Sequence, residues 1–408
     1  MGRSGNKEKQ ILNSQFSILN SLNAYPLRLM GIHSSYFILY NLYLLAEIFP
    51  GLPPTSLSSA QELLGSCCQA ALIAQDNLNT PSSEIIELEF LPSDTWRNPQ
   101  LVRTIDAHSG PVDVLTFTAD SQFLISGGSR NDAHLKVWWL DTGRQVDSIR
   151  AHRTSITALA LSPDGKMLAS VGDDAGVNLW EWEQGNYTRT FLDHSSNILS
   201  LAITPDSKTL ITGALDGIRL WDLTKQRPLY TLNRFDHQTY ALAIHPEGSI
   251  LASGHKFGTV KLWNLKTGRL LETIPAHTRA LNPVSGRSNL SVSVLAYSPD
   301  GNTLVSGSYD RTIKVWDLQI TGQLAYPPLR GHTGRIEAIT INPNGEILAS
   351  ASRDGVRLWN LQTGELLAVL GGHGDWVKSL AFSNDGRFLA TGGFDRIIKI
   401  WQVAPPGE

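Results

Sequence analysis

From residue 101 onward the chain is written in short apolar runs separated by turn-forming residues. Segments such as ITALAL (156–161), VKLW (260–263) and IKVW (313–316) are rich in β-branched and aromatic residues and bounded by Gly, Pro, Asn and Asp, a pattern that predicts strands. Between the runs stand SPDG at 162–165 and 298–301, HPEG at 245–248 and NPNG at 342–345. Proline in the second place fixes φ and glycine in the fourth suits a type I turn, so these are hairpin corners. After the tryptophan-ended strands come Thr-Gly corners (Thr142-Gly143, Thr267-Gly268, Thr363-Gly364) or their equivalents, then a further strand such as LLAVL at 366–370. Helix content in this region is expected to be near zero.

The pattern repeats. GSYDRTIKVWDL (307–318) and GGFDRIIKIWQV (392–403) are near copies, and the strand-ending tryptophans are Trp138, Trp180, Trp221, Trp263, Trp316, Trp359 and Trp401, spaced 42, 41, 42, 53, 43 and 42 residues apart. Each unit runs from near a histidine through an apolar stretch, a Pro turn, LAS or LVS, an Asp turn and the tryptophan strand. That period and order match a four-stranded propeller blade rather than helical repeats of roughly 33–47 residues. Few residues follow Trp401, so the last blade lacks an outer strand of its own. LVRTI at 101–105 precedes the first histidine as LLAVL precedes the last. Residues 101–105 are therefore predicted to complete the final blade, removing an exposed edge.

His, Ser or Thr, Asp and Trp at these offsets, with WDL at 221–223 and 316–318, resemble the WD-repeat β-propeller family over about three quarters of the chain. The expected fold class is all-β: a seven-bladed β-propeller of four-stranded antiparallel blades, its ring closed by the strand at 101–105. The resemblance implies a hydrogen-bonded set in each blade, with His held between Asp and Ser or Thr, and the hydroxyl reaching the indole N–H. The sets are His108, Ser126, Asp132, Trp138; His152, Ser170, Asp174, Trp180; His194, Thr212, Asp216, Trp221; His277, Ser306, Asp310, Trp316; His332, Ser350, Asp354, Trp359; and His373, Thr391, Asp395, Trp401. Blade 4 departs, with Phe257 where Asp is expected and HQTYALAIHPEG (237–248) two residues short, and is expected to be the least stable. Blade 5 inserts about eleven residues within 278–291, a length typical of a binding loop or a disordered one.

Ser, His and Asp also spell a hydrolase triad. Catalysis needs one exposed nucleophile beside an oxyanion pocket, whereas here the trio recurs in most blades, which marks it as structural. One histidine per blade spreads them too widely to share a metal ion, and neither metal nor other cofactor is expected. A propeller enzyme would instead need carboxylates converging at the channel, for which Asp113, Asp173 and Glu337 are isolated candidates. The resemblance implies partner docking on the face bearing the His loops and Asp turns. Three positions per blade point there: the third and fifth residues after the His, counted back from the Pro turn where the loop length differs, and the residue before the Asp. Large side chains at these positions gather in blades 4 to 7 as Tyr240, Tyr309, Arg335, Arg353, Trp376 and Phe394, the aromatic and arginine mixture that dominates interface energetics. The expected function is a non-catalytic scaffold for one or more partner proteins. A membrane-associated propeller tethered through residues 27–49, and a hydrolase-like enzyme with a channel site, are the alternatives.

Charge and cysteine content narrow the setting. With 34 basic and 37 acidic residues and a formal net charge of -3, no broad cationic face exists and nucleic acid is disfavoured as a main ligand. Cys67 and Cys68 are adjacent and outside the repeats, so no disulfide framework supports the fold and a cytoplasmic location is expected. Residues 1–95 read as a separate extension, helical or poorly ordered, ahead of a propeller at 96–408. ILNSQFS at 11–17 is echoed at once by ILNSLNA, as in low-complexity sequence. YFILYNLYLLAEIF (36–49) is apolar but shorter than the roughly 18–20 residues of a membrane span, and carries Asn41 and Glu47. LLGSC at 63–67 lacks the hydrophobic core that a lipoprotein signal needs before it.

Overall fold

The computed structural model describes residues 93–403, apart from Asn131, 183–185, 192–193, 235–237, 278–289 and Thr321. The apolar stretch within 27–49, the cysteine pair, His237 and the insertion of blade 5 lie outside the described residues. The strand and corner text folds into 28 strands, from β1 (Gln100–Asp106) to β28 (Ile397–Gln402), paired antiparallel in seven four-stranded sheets. A 3-10 turn, Ser93–Arg97, is the one helical segment among the described residues. The innermost strands are β2 (Val112–Phe117), β6 (Ile156–Leu161), β10 (Ile198–Ile203), β14 (Thr239–Ile244), β18 (Val292–Tyr297), β22 (Ala338–Ile341) and β26 (Val377–Phe382). They touch in that order and β26 touches β2, which closes the ring. The protein is a seven-bladed propeller.

Each hairpin corner is stitched by its own side chains. At SPDG, Ser162 Oγ donates to Asp164 Oδ1 at 2.6 Å, the same oxygen accepts the Lys166 N–H at 3.2 Å, and Gly165 sits at φ +73°, where a Cβ would be strained. Burial then grades across the blade. The second strand, as in β7 (Met167–Gly172), is buried almost throughout because neighbouring blades cover both of its faces, which is why LASVG does not alternate. The outer strand β5 (Arg144–Arg150) is nearly all exposed.

Six of the seven innermost strands carry a register shift against their neighbour, each skipping one residue: Asp113, Thr157, Leu199, Tyr240, Ser293 and Lys378. A bulge of this kind re-aims the extra side chain. Thr157 Oγ1 thereby donates to the Ile198 carbonyl of the next blade at 2.6 Å, and Ser293 Oγ to that of Ile336 at 2.6 Å, so the bulges also tie blade to blade.

Closure follows the sequence expectation. The strand β1 pairs with β28, with Arg103 opposite Ile400 and Ile105 opposite Ile398. Ile105 and Ala107 pack with Ile398, Ile400, Leu115 and Phe117 between the last blade and the first. Upstream, Trp96 is 1% exposed and meets Phe382 edge-on at 5.2 Å between ring centres, while Arg97 pairs with Glu365 of blade 6 at 2.9 Å.

Candidate functional site

The polar sets come together inside the blade walls. In blades 2, 3, 5, 6 and 7 the His Nδ1 meets an Asp carboxylate at 2.7–3.0 Å and the Nε2 meets the Ser or Thr hydroxyl at 2.7–2.9 Å. The indole N–H of Trp180, Trp221, Trp316, Trp359 or Trp401 donates to that same hydroxyl. Because the carboxylate only accepts, the proton sits on Nδ1 and Nε2 accepts from the hydroxyl. In blade 1, Ser126 Oγ bridges His108 Nε2 and Trp138 Nε1, both at 2.8 Å. Asp132 lies 3.2 Å from His108 Nδ1 without hydrogen-bond alignment, and accepts instead from the Ser109 N–H at 2.6 Å and from His134 at 3.0 Å. Burial holds His108 neutral down to about 4, overriding the pull of Asp132, and also lowers His332 and His373. For Asp174, burial opposes the charge, but the His152 hydrogen bond and charge, with the Arg153 and Gly176 N–H groups, bring it down to about 2. The serine and threonine hydroxyls of these sets belong to fully buried residues, the opposite of an exposed nucleophile.

Blade 4 solves the same problem differently. Ser253 Oγ accepts from Trp263 Nε1 at 2.8 Å and meets His255 Nε2 at 2.9 Å, with His255 fully buried. Thus a histidine on the strand itself takes the place of one from the loop. The signal is in the sequence, two residues after each wall Ser or Thr: Gly128, Gly172, Ala214, Ser308, Ser352 and Gly393 are all small, and His255 alone is large. The reason is steric. A Cβ on Gly128 or Gly172 would come within 2.6 or 2.7 Å of the loop histidine's Nδ1. Phe257, in the Asp position, is 61% exposed on the loop face.

On the face of the His loops and Asp turns, the third-position rule fails in three blades: Pro111, Ser155 and Ser291 are buried, not presented. Three of the fifth positions, bulged Asp113 and Lys378 with Glu337, form a charged cluster at the channel. Glu337, its side chain 2% exposed, pairs with Lys378 Nζ at 2.7 Å and accepts the Nε–H of Arg335. Burial opposes the Lys378 charge, yet Glu337 and Asp113 together raise its affinity for the proton. Burial raises Asp113, with Asp173 and Glu337 adding to the rise and Lys378 and Ser129 opposing it. Asp113 therefore feels both of the other carboxylates, but the cation between Asp113 and Glu337 is an internal ammonium. Among the described residues no group of three metal-ligating side chains is positioned to hold an ion.

Beside this cluster the large residues of blades 4 to 7 stack in a row. Tyr240 meets Tyr309 edge-on at 6.3 Å, and the Arg335 guanidinium lies 4.8 Å from the ring centres of both Tyr309 and Trp376. Arg353 and Arg311 join Tyr309, Thr333, Arg335 and Trp376 around an open concavity of ≈ 610 Å³. Phe394 stands apart: its ring is covered by Arg130 of blade 1 at 4.7 Å. Sequence reasoning missed Arg311 and Arg130, both exposed and both at left-handed φ, +70° and +52°, in their Asp turns. For Arg311 the available clue was the residue after the Asp, shared by the duplicated YDR and FDR; Arg130, two residues before its Asp, had no such signal.

Closed ring, buried His-containing walls and a loop face crowned by a charged channel define the class, a seven-bladed propeller built from WD-type blades. The chain belongs to the WD40 family: the profile "WD domain, G-beta repeat" matches at 99–138, 143–181, 185–222, 226–264, 268–317, 325–360 and 364–402. It is similar to "Nuclear distribution protein PAC1" of Arthroderma benhamiae, 25% identical over 304 residues that cover 66% of this chain and 63% of the relative. "Nuclear distribution protein nudF" of Aspergillus niger is 32% identical over 165 residues, 40% of this chain and 35% of its own. "Pre-mRNA-processing factor 19 homolog 2" of Arabidopsis thaliana is 30% identical over 175 residues, 43% and 30%. The chain thus spans less than two thirds of the length of these relatives. Among the described residues no helix is long and apolar enough to cross a membrane.

Proposed function

We propose that this protein is a non-catalytic scaffold that docks partner proteins on the loop face of its propeller, with residues 96–408 as the docking module and residues 1–95 as an extension to it, acting in the cytoplasm. The observation that carries this reading is the unbroken stack Tyr240–Tyr309–Arg335–Trp376 beside an open concavity. Buried Glu337 holds the stack's arginine in place, so its side chains lose little rotamer freedom when a partner arrives. Arg353 lines the same concavity, and Phe394 with Arg130 provides a second contact point further round the ring. Relatives of differing names are similar to this chain, as expected when function resides in the loop side chains rather than in the ring. The test is affinity capture from the native cell with the full chain and with Trp376→Ala/Arg353→Ala. The double variant should keep its thermal unfolding midpoint and lose the captured partner; a partner retained at wild-type yield overturns the assignment of this face.

A further inference from the structure

We infer that the concavity between blades 5, 6 and 7 selects an acidic peptide segment, one presenting Asp or Glu side chains next to an apolar residue; this rests on the docking reading above. The lining carries three guanidiniums, from Arg311, Arg335 and Arg353, against the single carboxylate of Asp354. That carboxylate is already engaged, by His332 Nδ1 at 2.8 Å, the Thr333 N–H at 3.3 Å and Arg357 at 3.1 Å. Arg335 is balanced by Glu337, which also neutralises Lys378 with the help of Asp113. Arg311 and Arg353 are both exposed, and neither has an ion-pair partner among the described residues. The surplus at the rim is therefore positive while the floor is aromatic.

A guanidinium is a rigid fork that pairs with a carboxylate through two parallel N–H···O bonds, and it is more weakly hydrated than an ammonium. Two such forks beside the Tyr309 and Trp376 rings complement a segment that alternates carboxylates with an apolar side chain. The alternative polyanion, RNA, needs a long cationic track. The whole chain carries a net charge of -3 and the arginines serve one local concavity.

The test is fluorescence anisotropy with the full-length protein. The probes are a short labelled peptide in which Glu alternates with Leu, the same peptide with Gln for Glu, its phosphoserine counterpart, and a labelled oligo-uridine RNA. The Glu peptide should bind about tenfold or more tighter than the Gln peptide, with the preference weakening as salt rises. Arg311→Gln/Arg353→Gln should abolish that preference without moving the thermal unfolding midpoint, whereas Arg130→Gln, at the separate Phe394 pair, should preserve it. Equal binding of the Glu and Gln peptides, an unaffected double variant, or tighter binding of the phosphoserine peptide or the RNA through the same arginines each overturns the proposal. If the Glu preference is absent while Trp376→Ala/Arg353→Ala still loses the native partner, the charge assignment falls and the docking face stands.

Discussion

A single hydroxyl is the centre of each blade wall. Ser253 shows this most simply, because in blade 4 the same oxygen satisfies both the indole N–H of Trp263 and the Nε2 of His255, and all three residues are buried. Removing a shared partner leaves two buried polar groups unsatisfied at once, and each unmade bond in such a place costs about 1–3 kcal/mol. Ser253→Ala should therefore lower unfolding stability by about 2–4 kcal/mol, read from denaturant titration; a loss below about 0.5 kcal/mol would show that the pair bridges through something else. The wall residues of the other six blades were legible from their spacing, since hydroxyl, Asp turn and tryptophan recur in a constant order. His255 was not, because a histidine two residues after Ser253 gains meaning only once the strand's inward face and the space left by the other blades' small residues are known. The loop-face set divides in the same way. Tyr240, Tyr309, Arg335 and Trp376 meet in one stack, but Phe394 turns to Arg130, a partner 264 residues away in the chain and adjacent only through ring closure.

The strand that closes the ring is anchored more firmly than its exposed pattern suggests. Along β1, Ile105 is buried and most of the others are exposed, so pairing with β28 supplies backbone hydrogen bonds and little apolar burial. Trp96 and the Arg97–Glu365 pair, upstream of the strand, supply the rest by clamping the segment across the last two blades. Truncating a buried tryptophan to alanine typically costs about 3–5 kcal/mol. Trp96→Ala should lose that much and, more tellingly, raise amide hydrogen exchange in Ile397–Gln402 before other inner-blade strands. Uniform exchange around the ring would mean that β1 holds without its anchor. The strand was readable as an orphan of the repeat; Trp96 was not, because no repeat partner marks it and only the packed gap against Phe382 gives it a place.

Three of the wall histidines are held neutral by burial, which ties the ring's stability to pH. His108 resists protonation down to about 4, and His332 and His373 are lowered in the same direction by burial, whereas in the unfolded chain a histidine protonates near 6.5. Their neutral forms stabilise the fold fully above about pH 6.5, and that contribution is lost as pH falls towards 4. Asp174, at about 2, and the other depressed Asp-turn carboxylates add a second loss between about pH 4 and 2. The unfolding midpoint should fall continuously from pH 7 to 4.5; a midpoint that rises over that range would mean that the histidines are charged in the folded ring. Sheet count, strand order and closure followed from a repeat of nearly constant length. A wedge whose second strand is apolar on both faces must be covered by a neighbour on each side, and this requirement is local enough to be written in every copy. Which loop residues touch across blades was settled by the side chains that each blade places at its shared backbone features: a bulge that sets Lys378 against Glu337, and left-handed turns at Arg311 and Arg130. Those contacts join residues of different blades, and the one between Arg130 and Phe394 comes into being only when the seven wedges have shut into a circle.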